Sequence, residues 1–397
     1  MTTDAIDIDQ PMALLGGLTP QAFMRDYWQR KPLLIPQAIP GFTPSLSIAD
    51  IKTLARREEA ESRLVTHGER GWTMKRGPFK RLPAASQPNW TLLVQGVDLH
   101  DDATAELMRR FRFISDARLD DAMISIATDG GGVGPHDDSY DVFLLQAHGR
   151  RRWRVSQQAD RALVPGLPLK ILDDFRPEQE FTLEPGDMLY LPPHACHDGV
   201  AIGDCMTISI GFRVPSRAVL ARGLLEAAAD QVSAQFLDDP GLYGQPCLPG
   251  ADLSGLYEDA GTSATRQPAA LPEALIASTL DTLRQVRLDQ AVAARFLGQW
   301  LTNLPDSALF DPADEAILLA ESVPVDGRLV LDRCTRLMYG GGQLFINGEV
   351  APAAMQATLE TLADRRWLPA EAVRTLPPDA LSMLDEWLEE GWAHWRD

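Results

Sequence analysis

Residues 130–153 read GGGVGPHDDSYDVFLLQAHGRRRW, and they put polar side chains where the core of a sheet is expected. A glycine-rich loop, residues 130–135, leads into His136, Asp137 and Asp138. An apolar strand follows, and three arginines then begin a second apolar segment. Because glycine lets two stretches of backbone approach closely, the loop predicts a tight approach beside the histidine. The side chains that follow it are candidates for a functional site.

The size and charge of the chain narrow its class. With 397 residues it is too long for one ordinary core, which predicts two or three domains. Its net charge of −19 argues against direct nucleic-acid binding, because affinity for a phosphate backbone comes from clustered Lys and Arg. The same acidity favours basic partners. We expect a cytoplasmic protein with no membrane association, since the N-terminus lacks the pattern of a signal peptide and no stretch approaches the roughly 20 apolar residues of a membrane span.

The cysteines also favour the cytoplasm. They form no CxxC pair and are expected to be reduced thiols, which are typical of that compartment. They are Cys196, Cys205, Cys247 and Cys334.

The spacing of the apolar residues changes near Pro215. From about 60 to 215, short apolar strands alternate with Gly, Pro and Asp turns, which predicts an antiparallel sandwich or barrel. After Pro215 the apolar residues follow helical spacing. The last part of the chain is expected to contain a helix near 312–321, a hairpin in RLMYGGGQLFINGEV (336–350) and further helices. That order predicts a small winged-helix-like domain.

A histidine and an acid two positions apart on a strand share one face and can hold one metal ion. The chain has three such triplets, and its seven histidines and 56 acidic residues predict about one by chance. His67 lies in a turn-like stretch, and Asp101 and Asp102 after His100 are better explained as helix caps. His136 stands at the start of a strand, so we expect Asp138 on its face and Asp137 on the opposite one.

The third ligand is expected from EPGDMLYLPPHACHDG (184–199), which offers His194 and His197. Two histidines and one carboxylate with open positions form the facial triad of non-haem Fe(II) oxygenases. Cys196 would instead suit a zinc site, but nothing near it supplies the remaining ligands. Either histidine could serve, and the spacing from the pair Pro192 and Pro193 favours His197.

In GRRRWRV (149–155), Arg151 alternates onto the face of Trp153 and Val155. If that face is interior, Arg151 needs a carboxylate or phosphate, because an unpaired buried guanidinium is costly. The partner is either an internal acid or an acidic cosubstrate. Two other strands would give the site a polar lining, because every second residue of each faces the same side. On one strand these residues are Asp121, Met123 and Ser125, and on the other they are Thr207, Ser209 and Gly211.

These segments, together with YWQRKPLLI, NWTLLVQGV and SIGFRVP, resemble the bacterial ribosomal oxygenases over about residues 20–216. That family consists of JmjC-type protein hydroxylases that depend on Fe(II) and 2-oxoglutarate. The resemblance implies an α+β multidomain fold. A double-stranded β-helix of the cupin type over 1–215 would be catalytic, 216–305 would form a helical dimerisation domain that makes a homodimer, and 306–397 would be winged-helix-like.

The resemblance also implies roles for individual residues. His136, Asp138 and His197 would be the iron ligands and the catalytic centre. Arg151, helped by Ser125, would bind 2-oxoglutarate, and O2 would be the other cosubstrate. The side chains expected along the substrate are Asp121, Met123, Tyr140 and Ser209. The chain departs from the family at Asp137, where an apolar residue is frequent, and at His194, where glycine is usual.

The resemblance implies hydroxylation of an arginine in protein sixteen of the large ribosomal subunit, a basic partner that would suit Asp121 and the overall acidity. An alternative keeps the chemistry but changes the target to a histidine or a methyl-lysine. An alternative of another class is a non-catalytic DNA-binding regulator built on the winged helix. Residues 351–397 argue against that class, because they hold nine acidic and four basic residues.

Overall fold

The computed structural model describes residues 6–69, 71–233, 253, 256–286, 288–312, 318–352 and 356–396. It divides into two compact units, Met1–Val214 with Pro305–Phe310, and Pro215–Leu304 with Asp311–Asp397. No helix within the described residues has the length and apolar character needed to cross a membrane.

The first unit is built on one large antiparallel sheet. Its strands are β1 (Leu33–Ile35), β2 (Ser62–Gly68), β3 (Gly71–Arg76), β4 (Trp90–Val94), β5 (Leu119–Ala127), β6 (Val142–Ser156), β7 (Gln179–Leu183), β8 (Met188–Leu191) and β9 (Cys196–Phe212). Its helices are α1 (Pro20–Asp26), α2 (Ile48–Leu54) and α3 (Asp102–Arg109). The strand order is β1-β8-β6-β9-β5-β4-β2-β3, and β7 pairs with β6.

The two longest strands, β6 and β9, pair antiparallel from Val142–Gly211 to Ser156–Cys196. The sequence pattern predicted short strands throughout this region, and the structure has two long ones here. The register shifts between Gln146 and Arg150, and such irregularities let a long strand bend without ending. The two apolar segments on either side of Gly149 therefore belong to one continuous strand whose register is irregular near that glycine.

The alternation of β5 and β9 separates a core from a polar face, as the pattern predicted. The apolar positions of these strands belong to the main core, and they are Ala122, Ile124, Ile126, Met206, Ile208 and Ile210. The residues between them line a cavity. Asp101 caps α3 by accepting the backbone N–H of Thr104 at 2.8 Å, as expected from its position after His100.

The second unit mixes helices with two small sheets. Its elements are α4 (Arg217–Ser233), α5 (Glu273–Gln285), α6 (Gln290–Thr302), β10 (Arg328–Leu331), β11 (Leu337–Gly340), β12 (Gln343–Ile346), β13 (Glu349–Val350), α7 (Ala357–Arg365), β14 (Trp367–Pro369), α8 (Ala370–Val373), α9 (Pro378–Glu389) and β15 (Ala393–Arg396). One sheet has the order β14-β10-β15 and the other β11-β12-β13. The predicted hairpin is confirmed, because β11 pairs with β12 from Leu337–Ile346 to Gly340–Gln343.

Two predictions fall on residues of which nothing is described. The central part of the helix expected near 312–321, residues 313–317, lies outside the described residues. So does Cys247. The other three cysteines are buried and free of disulfides.

Candidate metal centre and its cavity

A cavity of about 540 Å³ lies against the polar face of β5 and β9 and against one face of β6. Every site residue expected from the sequence lines it: Asp121, Met123, Ser125, His136, Asp138, Tyr140, Arg151, His197 and Ser209. These residues come from four separate segments of the chain. The sheet therefore brings together side chains that are up to 88 positions apart in the sequence.

Three of the lining residues converge on one point. His136, Asp138 and His197 each offer a ligand atom, and these atoms lie within 4.8 Å of one another. The Asp138 Oδ2 atom is 3.9 Å from Nε2 of His136 and 3.7 Å from Nε2 of His197. An ion roughly 2.1 Å from each donor sits between donors roughly 3–4 Å apart. The arrangement therefore fits one metal ion and leaves coordination positions open.

The backbone fixes how both imidazoles face this point. Nδ1 of His136 donates to the carbonyl of Gly134 at 2.9 Å, and Nδ1 of His197 donates to the carbonyl of Ala195 at 2.8 Å. Each hydrogen bond sets the tautomer that leaves Nε2 free for a metal. Burial, and then the neighbouring His136, lower the pKa of His197 to about 4. The ring of His197 is thus neutral near pH 7, as a metal ligand must be.

His136 reaches the centre in a way that the sequence pattern did not predict. We expected it at the start of a strand, with Asp138 on the same strand face. The structure places His136 in a loop, and β6 begins only at Val142. A two-way backbone pair holds it instead, because the N–H of His136 donates to the carbonyl of His197 at 2.9 Å and the reverse bond measures 2.8 Å.

The glycine loop makes that position possible. A Cβ atom at Gly131 would lie 2.4 Å from the carbonyl oxygen of Trp90, and one at Gly132 would lie 2.6 Å from that of Gly199. Only glycine fits at these two places without moving the backbone. The close approach expected from residues 130–135 is confirmed.

Of the two competing histidines, His197 joins His136 and Asp138, and His194 does not. The Nδ1 atom of His194 instead donates to Asp137 at 2.8 Å. Cys196 also lies outside the cluster of possible ligands found among the described residues. His67 stacks on Trp72 with ring centroids 4.2 Å apart, at the end of β2 and not in a turn.

Arg151 is buried on the interior face of β6, as the alternation predicted. Only 5% of it is exposed, and Trp153 and Val155 on the same face are likewise buried. Its Nε and Nη2 atoms are shielded from solvent and find no hydrogen-bond partner within the described part of the chain. One alternative from the sequence was an internal Asp or Glu as the partner of Arg151. Within the described part of the chain, no acid bonds these two atoms. Two buried donors facing a cavity predict an anionic ligand.

Asp121 is one of the acidic residues that line the cavity. Its Oδ2 atom accepts the backbone N–H of Gly96 at 3.1 Å. Burial, and then the neighbouring Asp120, raise the pKa of Asp121 to about 6. Tyr140 lies close to it, and burial raises the pKa of the Tyr140 phenol well above its usual range. The site therefore offers an ionisable carboxylate beside a neutral aromatic ring.

Some residues that line the cavity were not predicted from the sequence. Arg63 on β2 donates to Oε1 of Gln95 at 2.8 Å, and the alternation of β2 could have indicated it, because Val65 shares its face and also lines the cavity. Arg161 and Lys170 come from the long segment 157–178, which forms part of the cavity wall. No local pattern predicts where such a segment folds back.

Residues 106–220, which carry the strands of this centre, match the JmjC domain family. Over 88% of its length the chain is 32% identical to ribosomal protein uL16 3-hydroxylase of Escherichia coli, of which it covers 90%. The chain belongs to the ribosomal oxygenase family. A probable ribosomal oxygenase of Haemophilus influenzae is 31% identical over 95% of this chain and 96% of its own length.

Solved structures agree with the sequence. The E. coli protein YcfD superimposes on this ribosomal oxygenase with a TM-score of 0.79 and 29% identity, covering 96% of this chain and 98% of YcfD. YcfD has also been solved as a ribosomal oxygenase in complex with cobalt and 2-oxoglutarate, with a TM-score of 0.76, 29% identity and coverage of 96% and 99%. The JmjC cupin fold predicted from the sequence is confirmed.

Proposed function

We propose that this ribosomal oxygenase is an Fe(II)- and 2-oxoglutarate-dependent protein hydroxylase acting on an arginine of ribosomal protein uL16. The observation that carries the proposal is the buried Arg151, whose Nε and Nη2 atoms have no partner among the described residues, in the same cavity as the cluster of His136, Asp138 and His197. This chemistry requires a metal ion and, in the same cavity, a positively charged group that can bind the carboxylate of the cosubstrate.

His136, Asp138 and His197 would hold the iron. Two imidazoles and one carboxylate that converge on one point suit Fe(II) and leave positions for the cosubstrates. With 2-oxoglutarate and O2, bound Fe(II) supplies oxidative decarboxylation to succinate and carbon dioxide, together with hydroxylation of a substrate carbon. The protein's own part is to orient the ligands, anchor the cosubstrate and position the target.

Arg151 would bind the distal carboxylate of 2-oxoglutarate through paired N–H donors. Ser125 lies opposite Thr207 in the β5–β9 register, on the face that lines the cavity, and its hydroxyl would add a hydrogen bond. The complex of YcfD with cobalt and 2-oxoglutarate supports this choice of cosubstrate.

Asp121, Tyr140, Met123 and Ser209 would receive the target side chain. A carboxylate with a pKa of about 6 is mainly ionised at neutral pH and can pair with a guanidinium. Tyr140 would cover the aliphatic stem, and Met123 and Ser209 line the same cavity. The name of the E. coli relative, a uL16 3-hydroxylase, supports uL16 as the partner. The net charge of −19 would help to attract a basic protein in the cytoplasm.

The direct test is to incubate the purified protein with Fe(II), 2-oxoglutarate and uL16 and to map any added oxygen by fragmentation mass spectrometry. We expect one added oxygen on one arginine, with stoichiometric succinate. Asp138→Ala should abolish both. Oxygen on a histidine, or loss of a methyl group from lysine, would favour the alternative targets. Absence of succinate and of any product would overturn the proposed function.

The second unit would serve assembly. We assign residues 216–305 to a helical dimerisation domain and 306–397 to a winged-helix-like domain that binds protein or braces the dimer. The helix α5 supports a homodimer, because it has no buried residue and exposes Ile276, Leu280 and Leu283 at helical spacing. An apolar stripe of this kind is costly in water, and a second copy of the chain is the occupant that we propose.

A further inference from the structure

Asp137 lies between two proposed iron ligands, yet the proposed reaction gives it no task. Its side chain is largely buried, with 18% exposed. Its Oδ2 atom accepts a hydrogen bond from Nδ1 of His194 at 2.8 Å and lies 3.5 Å from Nη1 of Arg161. The carboxylate therefore connects the metal loop to two distant segments and does not project into solvent.

His194 has a second tie to the same loop. Its backbone N–H donates to the carbonyl oxygen of Asp138 at 2.7 Å. The residue thus holds Asp137 through its ring and Asp138 through its main chain. The backbone of His194 has φ of +64°, the left-handed region that glycine adopts freely and other residues adopt at a cost. The ring hydrogen bond to Asp137 is a contact that a glycine could not make.

Arg161 extends the connection to the wall of the cavity. It belongs to the segment 157–178, which also contacts the metal loop through the N–H of Leu172, donated to the carbonyl of Pro135 at 2.8 Å. Arg161 and His194 both line the cavity that holds the metal centre. A movement of Asp137 would therefore displace the ligand Asp138 and the part of the cavity wall that Arg161 forms.

We propose that Asp137 and His194 form a clasp that positions Asp138 for the metal, with Arg161 tying the clasp to the cavity wall. This inference rests on the proposed iron centre. Asp137 and His194 are positioning residues, since neither belongs to the group of three ligand atoms. Partners of this kind hold a ligand in its binding geometry, and their loss commonly lowers metal affinity about 10- to 100-fold.

Two competing roles for this pair would respond differently to substitution. If Asp137 acts only through its negative charge, the ring of His194 is irrelevant to metal affinity. If His194 is itself a ligand, every replacement without an imidazole should weaken binding. The clasp requires a hydrogen-bond donor at position 194, on a backbone that tolerates the left-handed conformation. Asparagine satisfies both conditions, because its amide donates and it is enriched in that region.

The experiment is an anaerobic titration of the metal-free full-length protein with Co(II), followed by the d–d absorption of the bound ion. The variants are His194→Gly, His194→Asn, Asp137→Asn and Asp138→Ala. Asp137→Asn keeps an acceptor but removes the charge. The matched control is Asp174→Ala, an exposed acid in the segment 157–178 that pairs with Arg176.

We expect His194→Gly to weaken Co(II) binding by about tenfold or more and to alter the band shape, while His194→Asn stays within about threefold of the wild type. Asp174→Ala should match the wild type. Equal affinity and an unchanged spectrum in His194→Gly would overturn the clasp, as would equal losses in the glycine and asparagine variants. Asp138→Ala tests the metal centre separately. If it binds Co(II) as the wild type does, or if the wild type binds none, the proposed function fails and the clasp with it.

Discussion

The guanidinium carbon of Arg151 lies 5.7 Å from the ring centroid of Trp153, and that ring lies 5.8 Å from the imidazole of His197. The indole is therefore adjacent both to the proposed cosubstrate anchor and to a proposed metal ligand. Alternation along β6 puts Arg151 and Trp153 on one face, and pairing of β6 with β9 brings His197 alongside. Three side chains of one function are thus spaced by the geometry of two strands.

The first prediction concerns the anchor. Arg151→Lys replaces a two-pronged donor with a single charge, which should cost about 2 kcal/mol and lower kcat/KM for 2-oxoglutarate about 30-fold. Initial rates of succinate formation at varied 2-oxoglutarate measure this. The control is Arg152→Lys on the exposed face of the same strand, which should behave as the wild type. Equal kinetics in both variants would remove Arg151 from the proposed role.

The second prediction concerns the support behind Trp153. Gly199 lies opposite Trp153 in the β6–β9 register. A Cβ atom there would lie 2.6 Å from the indole ring. Gly199→Ala should destabilise the fold by about 1–3 kcal/mol through overpacking and raise KM for 2-oxoglutarate as the indole shifts. Thermal unfolding and kinetics test it. Gly68→Ala is the control, since a Cβ atom there meets nothing within 4 Å, and an equal loss of Tm in both variants would contradict the packing argument.

The third prediction is a pH dependence that arises at Asp121, whose pKa is raised to about 6 by burial. Between about pH 4 and 6 the folded protein keeps a proton that the unfolded chain has released, so the contribution of Asp121 to stability falls as pH rises through that window. Asp121→Asn should remove this fall, and denaturant unfolding at several pH values measures it.

Substrate binding should depend on pH in the opposite direction, because it requires the ionised carboxylate of Asp121. KM for a uL16 peptide should rise below about pH 6, where that carboxylate is protonated. A flat KM profile in the wild type would argue against an Asp121–cation pair.

The fourth prediction concerns α5. Leu280→Asp puts a charge in the exposed stripe with Ile276 and Leu283, and it should shift the protein from dimer to monomer in light scattering after size-exclusion chromatography. The reason is that an unpaired charge is costly in an apolar interface. Ala274→Asp, on the opposite face of the helix, should remain dimeric. A monomeric wild type at micromolar concentration would contradict the proposed assembly.

Much of the cavity was predictable because strand alternation is a local property. The inward face of β5, the inward Arg151 and the polar face of β9 all follow from a period of two residues. Glycines 130–132 also predicted a close approach, since a run of glycines indicates positions where the backbone leaves no room for a Cβ atom. These features depend on few neighbours, and the structure confirms where each side chain lies.

Other features depend on contacts between distant segments. His136 is held by a backbone pair with His197 and not by a strand of its own, and no spacing rule separates those cases. Residues 157–178 reach the cavity wall through contacts with distant segments, among them the hydrogen bond from the N–H of Leu172 to the carbonyl of Pro135. The sequence favoured His197 over His194, but it did not predict the contact of His194 with Asp137, which joins distant segments.

The two backbone hydrogen bonds between His136 and His197 also bear on the structure of the metal-free protein. Both hydrogen bonds involve only main-chain atoms, so the cost of ordering these two ligands is met when the chain folds and not when an ion arrives. The metal-free protein should keep both amides protected from hydrogen exchange, at a level close to that of the loaded protein. The backbone of both ligands should then keep its position without metal, so that an ion can bind without refolding of this loop.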